Sequence, residues 1–197
     1  MSRYFGLGKD ALGQAKKTGV LLVNLGTPDA PTSTALRTYL REFLSDPRVV
    51  EIPRLAWLVI LHGIILRIRP AKSAKLYQSI WTESGSPLLV IAKQQKDKLA
   101  RLLFDEYGES VVVDVAMRYG QPAINDALRS FHQQGIDNIV IMPLYPQYAG
   151  PTTGSVFDAV VAEVKQWRWI PSLHFVSSYH SDKGYINALA NSVNEHI

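Results

Sequence analysis

The chain has 197 residues, 47% hydrophobic and 19% charged, with a formal net charge of +4. That is the composition of a soluble globular chain, one large domain or one domain and part of another. Its basic residues are interspersed with acids, which argues against a phosphate-tracking stripe and so against a nucleic-acid partner. The sequence contains no cysteine, which excludes disulfides, a thiol nucleophile and an iron–sulfur cluster held by this chain's own thiolates. No apolar run reaches the roughly 18 residues of a spanning helix, and Met1 to Lys17 lacks a signal-peptide core. A cytoplasmic location is the expectation.

Residues 1–17 carry glycines and lysines without periodicity and read as a loose arm. Gly6-Leu7-Gly8 imitates the start of a dinucleotide fingerprint, but no strand precedes it and the third glycine is misplaced. Gly19 to Leu25 is apolar enough for a strand buried on both faces. Pro31 to Thr34 offers helix caps, and Leu36, Tyr39, Leu40, Phe43 and Leu44 follow at helical spacing until Asp46-Pro47. The run Leu55 to Leu66 is apolar nearly all round. Its pattern favours a core helix over a helix at the lip of an apolar pocket or at a membrane surface.

Ala71 to Ile80 reads as a short helix, and Pro87 opens a long amphipathic helix to about Glu106. Ser110 to Met117 is a second strand, Pro122 to Gln134 a helix closed by Gly135, and Ile136 to Leu144 a third strand. Thr153 to Trp167 is a helix, Leu173 to Ser178 a fourth strand, and Tyr185 opens a last helix. This β-α alternation predicts an α/β fold with a four-stranded parallel sheet flanked by helices. Domain boundaries are expected at 18–182, with 183–197 leading into a further segment.

In such a sheet the carboxyl ends of the strands share one edge. Those ends carry Asn24-Leu25-Gly26-Thr27-Pro28, Arg118-Tyr119-Gly120 and Tyr145 to Gly150. Leucine, arginine and two tyrosines on one edge suit a flat apolar ligand with carboxylates at its rim. The plainer alternatives are a proline-rich connection, core tyrosines, and an ion pair for Arg118. The five histidines form no spaced metal-ligand motif, and neither a nucleophile elbow nor a carboxylate pair stands out.

Several stretches together resemble one family. They are Leu22 to Pro28, Arg41-Glu42-Phe43-Leu44-Ser45-Asp46, Tyr77 through Gly85-Ser86-Pro87, and Met117-Arg118-Tyr119-Gly120. Leu144 to Tyr148 with Thr153-Gly154, and Tyr185 to Ser192, complete the set. In this order they are similar to ferrochelatases of the bacterial protoporphyrin type, over about 18–197. The resemblance implies a Rossmann-like, chelatase-type domain, the first of two similar domains, with a porphyrin in the cleft between them. It implies insertion of Fe²⁺ into protoporphyrin IX, with iron as substrate and no tightly bound cofactor.

The positions matching the family's porphyrin contacts are Leu25, Arg69, Tyr77, Ser86, Arg118 and Tyr145. Leu25 is expected against the macrocycle; leucine there, where relatives handling coproporphyrin carry tyrosine, favours protoporphyrin. The resemblance also turns Leu55 to Leu66 into the lip of the site, with possible peripheral membrane contact through 55–66. Ser178-Tyr179-His180 imitates the family's metal-handling histidine motif, but it precedes the helix that leads to the true one. The family's histidine and glutamate are thus expected beyond Ile197, no catalytic or metal residue within it, and this chain alone inactive. Gly150 replaces a cysteine that ligates a cluster in some relatives, so no iron–sulfur cluster is expected. An exposed apolar face on the last helix suggests self-association. A non-catalytic tetrapyrrole-binding or carrier module is the alternative, and a nucleotide-binding domain is disfavoured by the lack of a phosphate-cradling loop.

Overall fold

The structure is a computed structural model that describes residues 4–6 and 17–196. Its centre is a sheet of four parallel strands in the order β2-β1-β3-β4, where β1 is Thr18–Gly26, β2 Val111–Tyr119, β3 Asn138–Pro143 and β4 Ser172–Phe175. Thr18 pairs with Val111 on one side and with Asn138 on the other. β1 is therefore central, and its run Leu21-Leu22-Val23 is buried on both faces, as its unbroken apolar sequence predicts. β2 and β3 lie on opposite sides of β1, so strand order reverses beside β1. Ligands of open α/β sheets bind at such a switch point.

Helices cover both faces. α5 (Ile124–Gln133) and α6 (Ser155–Val164) pack Leu128, Phe131, Val156 and Val160 against Leu21, Val23, Ile139 and Ile141. On the other face α4 (Pro87–Tyr107) sets Ala92 against Leu22, Val115 and Met117. The four-stranded parallel α/β architecture thus agrees with the expectation from sequence.

The long connection from β1 to β2 contains α1 (Ser33–Leu44), α2 (Arg54–Ile60), a π turn (Leu61–Ile65) and α3 (Leu66–Ile80). Pattern alone favours a core helix for residues 55–66, and the structure overturns this. Trp57, Leu61 and Leu66 are buried against Leu44 of α1, with Ile65 half-buried beside them, while Leu55 is 83% and Val59 73% exposed. An all-apolar run does not say which sides find neighbours, and here α1 and the following Val49-Val50 cover one side. The lip expectation fits this geometry.

α3 also begins earlier than Pro70 suggests. Proline removes the N–H that would bond the Leu66 carbonyl, which ordinarily breaks or kinks a helix. Here Arg37 Nε donates to Leu66 O at 3.0 Å, so the carbonyl keeps a donor and the helix runs through Pro70. Arg37→Ala should cost about 1 kcal/mol in the natural chain. Its cost should shrink in a Pro70→Ala background, where the new N–H takes over. A double-mutant cycle by denaturant melting measures this, and equal costs in both backgrounds would refute it.

Smaller differences occur at element ends. The helix expected from Thr153 starts at Ser155, after a π turn at Gly150–Gly154. β4 stops at Phe175, short of Ser178. α7 (Lys183–Asn194) leaves Ile186, Leu189 and Val193 about half exposed, as its apolar face predicts. Of the arm, 1–3 and 7–16 lie outside the described residues. Phe5 is not loose, because its N–H donates to Gln166 O and its carbonyl accepts from Arg168 N.

Candidate active-site wall

β1 delivers Leu25 to the carboxyl edge, where the chain turns at Gly26. Gly26 has φ +115°, and a Cβ there would lie 1.8 Å from the Tyr119 carbonyl oxygen. Glycine is therefore what lets the ends of β1 and β2 close together. Half-buried Leu25 rests on a cluster of Leu36, Tyr39, Ala74 and Tyr119, joined by Phe43 and Tyr77. Tyr39 stacks on Phe43 at 6.0 Å and Phe43 meets Tyr119 edge-on at 5.1 Å, an arrangement that aromatic quadrupoles favour. Leu25 from β1 and Tyr77 from α3 thus share one apolar floor.

Tyr145 follows β3, on the other side of the switch point, and packs on the α5–α6 side of the sheet. Its hydroxyl is buried and has no hydrogen-bond partner among the described residues. Burial first, then the nearby Tyr39 and Tyr119 phenols, hold its proton well above the ordinary phenol range. Tyr39 and Tyr119 are raised as well, chiefly by burial. Three neutral phenols therefore stand beside one another at this edge.

Arg118 is committed to its surroundings. Its Nε–H is shared between Ser155 O (2.9 Å) and Ser155 Oγ (2.6 Å), and Nη2 donates to Asp46 Oδ2 at 2.6 Å. The ion-pair alternative is the one the structure shows. Asp46 is the centre of this group. Its Oδ2 also accepts from Tyr119 Oη (2.8 Å) and Ser155 Oγ (2.6 Å), and its Oδ1 from Arg48 N (2.8 Å). Burial raises the Asp46 carboxyl, but the hydrogen bonds from Ser155, Arg48 N and Tyr119, with the Arg118 charge, outweigh it and leave it lowered.

Ser86 is buried and accepts from Thr27 Oγ1 at 2.8 Å. Arg69 stands apart, exposed on α3. Leu25, Arg118 and Tyr145 thus lie at the ends of β1, β2 and β3, with Tyr77 in the cluster under Leu25 and Tyr145 in the cluster on the α5–α6 side. Ser86 is buried against Thr27 and Arg69 is exposed on α3. Sequence reasoning missed Tyr39, Thr27, Ser155 and the role of Asp46. Asp46 lies in the quoted hexapeptide, but its partners lie 72, 73 and 109 positions away. His180 is exposed on a turn, with its backbone N–H on Pro146 O.

The family model for ferrochelatase matches residues 17–197. The chain belongs to the ferrochelatase family. It is 62% identical over 182 residues to a ferrochelatase of Shewanella denitrificans, which covers 90% of this chain and 54% of that protein. It is 60% identical over 179 residues to ferrochelatase 2 of Shewanella oneidensis, covering 91% and 54%. A ferrochelatase of Thioalkalivibrio sulfidiphilus is 57% identical over 181 residues, covering 92% and 49%. The chain spans about half the length of the curated relatives it matches.

Within this ferrochelatase fold a larger groove, about 790 Å³, runs between α1 and α6 on the outer side of Asp46. Its charged lining is Arg41 and Arg118 against Glu42, Asp46, Asp158 and Glu163. Asp46, Asp158 and Glu163 are already paired with Arg118, Arg48 and Arg129. Among the described residues Arg41, beside Glu42, is therefore the groove's base outside an ion pair, a poor match for a ligand that carries two carboxylates. The carboxyl edge of the sheet at Leu25 and Tyr145 is the better candidate.

Proposed function

We propose that this chain forms the porphyrin-binding wall of a ferrochelatase, which inserts Fe²⁺ into protoporphyrin IX to give haem. The observation that carries this reading is the cluster of Leu25, Tyr77, Tyr39 and Tyr119 at the switch point, with Tyr145 near its two last members. An aliphatic side chain on an aromatic floor offers a flat macrocycle apolar contact worth about 25 cal/mol per Å² buried. Beside it runs the basic stretch of α2 and α3. From 52 to 82 the sequence holds Arg54, Arg67, Arg69, Lys72 and Lys75 and no acid, a charge balance that suits two carboxylates at the ligand's rim.

Metal insertion replaces two pyrrole N–H protons with Fe²⁺, so two protons must leave the ring. The phenols of this wall are held neutral by burial, and Asp46 is saturated by four donors. These groups bind and orient, and they are poor proton acceptors at neutral pH. That supports a division of labour in which the acceptor and the metal-handling groups come from outside this wall. We read iron as passing substrate, and Gly150 at a position where some relatives carry a cluster cysteine as a sign that this wall itself ligates no iron–sulfur cluster.

The test is a titration of the chain with protoporphyrin IX, followed by the shift of its Soret band. Saturable one-to-one binding is expected, weakened about tenfold or more by Leu25→Asp, which sets a charge against the macrocycle. His180→Ala should leave binding unchanged. Non-saturable binding, or indifference to Leu25→Asp, would overturn the reading.

A further inference from the structure

The two apolar clusters of the wall are separate. Leu25 and Tyr77 pack in one and Tyr145 in the other, and the two share no member. The β1–β3 ladder ends at the pair Val23 and Pro143, short of Leu25 and Tyr145. Beyond it, the side that carries Leu25 is joined to α6 by polar ties. The hydrogen bonds of Asp46, Arg118 and Tyr119 with α6 all fall on Ser155. Bonds that converge on one residue fix a distance but not an angle.

Arg48 supplies a second point, about one turn further along α6. Its Nε and Nη2 donate to Asp158 Oδ2 and Oδ1 at 2.5 and 2.9 Å, a two-pronged geometry that sets direction as well as distance. The backbone of Arg48 is fixed in turn, since its N–H donates to Asp46 Oδ1. The next residue, Val49, packs both in the cluster under Leu25 and in the lip cluster with Trp57 and Leu61. Gly154 makes room for the guanidinium, because a Cβ there would lie 3.0 Å from Arg48 Nη1 and 3.3 Å from its Cδ. The paired side chains are 40% and 47% exposed, so they add little to stability. A tie of this kind fixes an angle without holding up the fold.

We propose that Arg48 is a positioning residue of the wall, and that its fork on Asp158 sets how the Leu25 cluster and the lip stand relative to Tyr145. The proposal rests on the porphyrin reading above. Arg48 acts through the two clusters rather than on the ligand. Its loss therefore changes the shape offered to a flat ligand, leaves both cores packed, and has the same effect whether or not the ligand's acids are free. Lysine keeps the charge but lacks the planar fork, so it does not replace arginine here.

The experiment compares dissociation constants for protoporphyrin IX and its dimethyl ester in the natural chain, in Arg48→Met, Arg48→Lys and Asp158→Asn, and in Arg48→Met combined with Asp158→Asn. Arg48→Met and Asp158→Asn should each weaken both compounds about three- to tenfold. The double variant should bind no more weakly than either single one, because the pair acts as a unit. Arg48→Lys should behave like Arg48→Met, and every melting temperature should stay within ~4 °C of the natural chain. Unchanged affinity, additive losses, full rescue by lysine, or a fall in melting temperature that tracks the fall in affinity would overturn the positioning role. A loss confined to the free acid would overturn it too, since Arg48 would then be reading the ligand's charge directly. In each of these cases the natural chain still binds, and only the role of Arg48 falls. If the natural chain binds neither compound, the porphyrin reading falls and the positioning role with it.

Discussion

Asp46→Asn is expected to be among the most destabilising single changes in the chain, costing about 3 kcal/mol. Asp46 gathers the end of α1, the end of β2 and the start of α6 through Arg118, Tyr119 and Ser155. The amide keeps an acceptor but removes the charge and turns one terminal atom into a donor. Arg118, only 18% exposed at its side chain, is then left without its counter-ion. For a chain of this size the loss corresponds to roughly 6–12 °C in melting temperature. Asp46→Leu combined with Arg118→Met should recover part of it, because no buried charge then lacks a partner. A single Asp46→Asn variant that melts with the natural chain would refute this role.

The same residue gives a signature in pH. Asp46 titrates below its ordinary value in the folded chain, whereas in the unfolded chain an aspartate titrates near about 3.9. A carboxyl lowered by folding contributes its full stability above the unfolded value and loses it as pH falls through the folded one. Denaturant melts between about pH 5 and pH 2 should therefore show a steeper acid decline for the natural chain than for Asp46→Asn. Parallel curves would mean that other carboxylates set the acid limb.

The second large effect is expected at Gly26. Gly26→Ala combines a φ of +115° with a Cβ 1.8 Å from a backbone oxygen of Tyr119, and neither can be relieved by turning a side chain. A cost above about 4 kcal/mol follows, enough to leave much of the protein insoluble or partly unfolded. Gly63→Ala is the matched control. It lies in the π turn of the lip, where a Cβ meets nothing within 4 Å, so alanine should be neutral or stabilise by up to about 1 kcal/mol. Soluble yield and melting temperature of the two variants settle the matter. A well-folded Gly26→Ala would show that the β1–β2 ends can separate.

What could be read from sequence follows how local the cause is. β1 was legible because burial on both faces leaves an unbroken apolar run, Leu21-Leu22-Val23, and the β-α alternation then implied the parallel sheet. The start of α3 was not, because its remedy for Pro70 comes from Arg37, 29 residues back. Leu55 to Leu66 shows the limit of periodicity, since a helix apolar on every side does not reveal which side is covered. At the cleft edge, Leu25, Tyr145 and Arg118 stood out because such side chains at strand ends share one edge. Their supporting groups did not, because Tyr39 reads as a core residue of α1 and Asp46 as an ordinary helix stop.

The lip has a kinetic consequence. Trp57 Nε1 donates to Leu44 O at 2.7 Å, Arg54 reaches Ser45 O, and Arg37 holds Leu66 O. The stretch that carries the exposed apolar side chains is thus pinned to α1 at three points before any ligand arrives. On the porphyrin reading, a shelf fixed in this way would need no ordering step, so encounter rather than conformational gating would set how fast a flat ligand lands. Differences in affinity among lip variants then arise in how long the ligand stays.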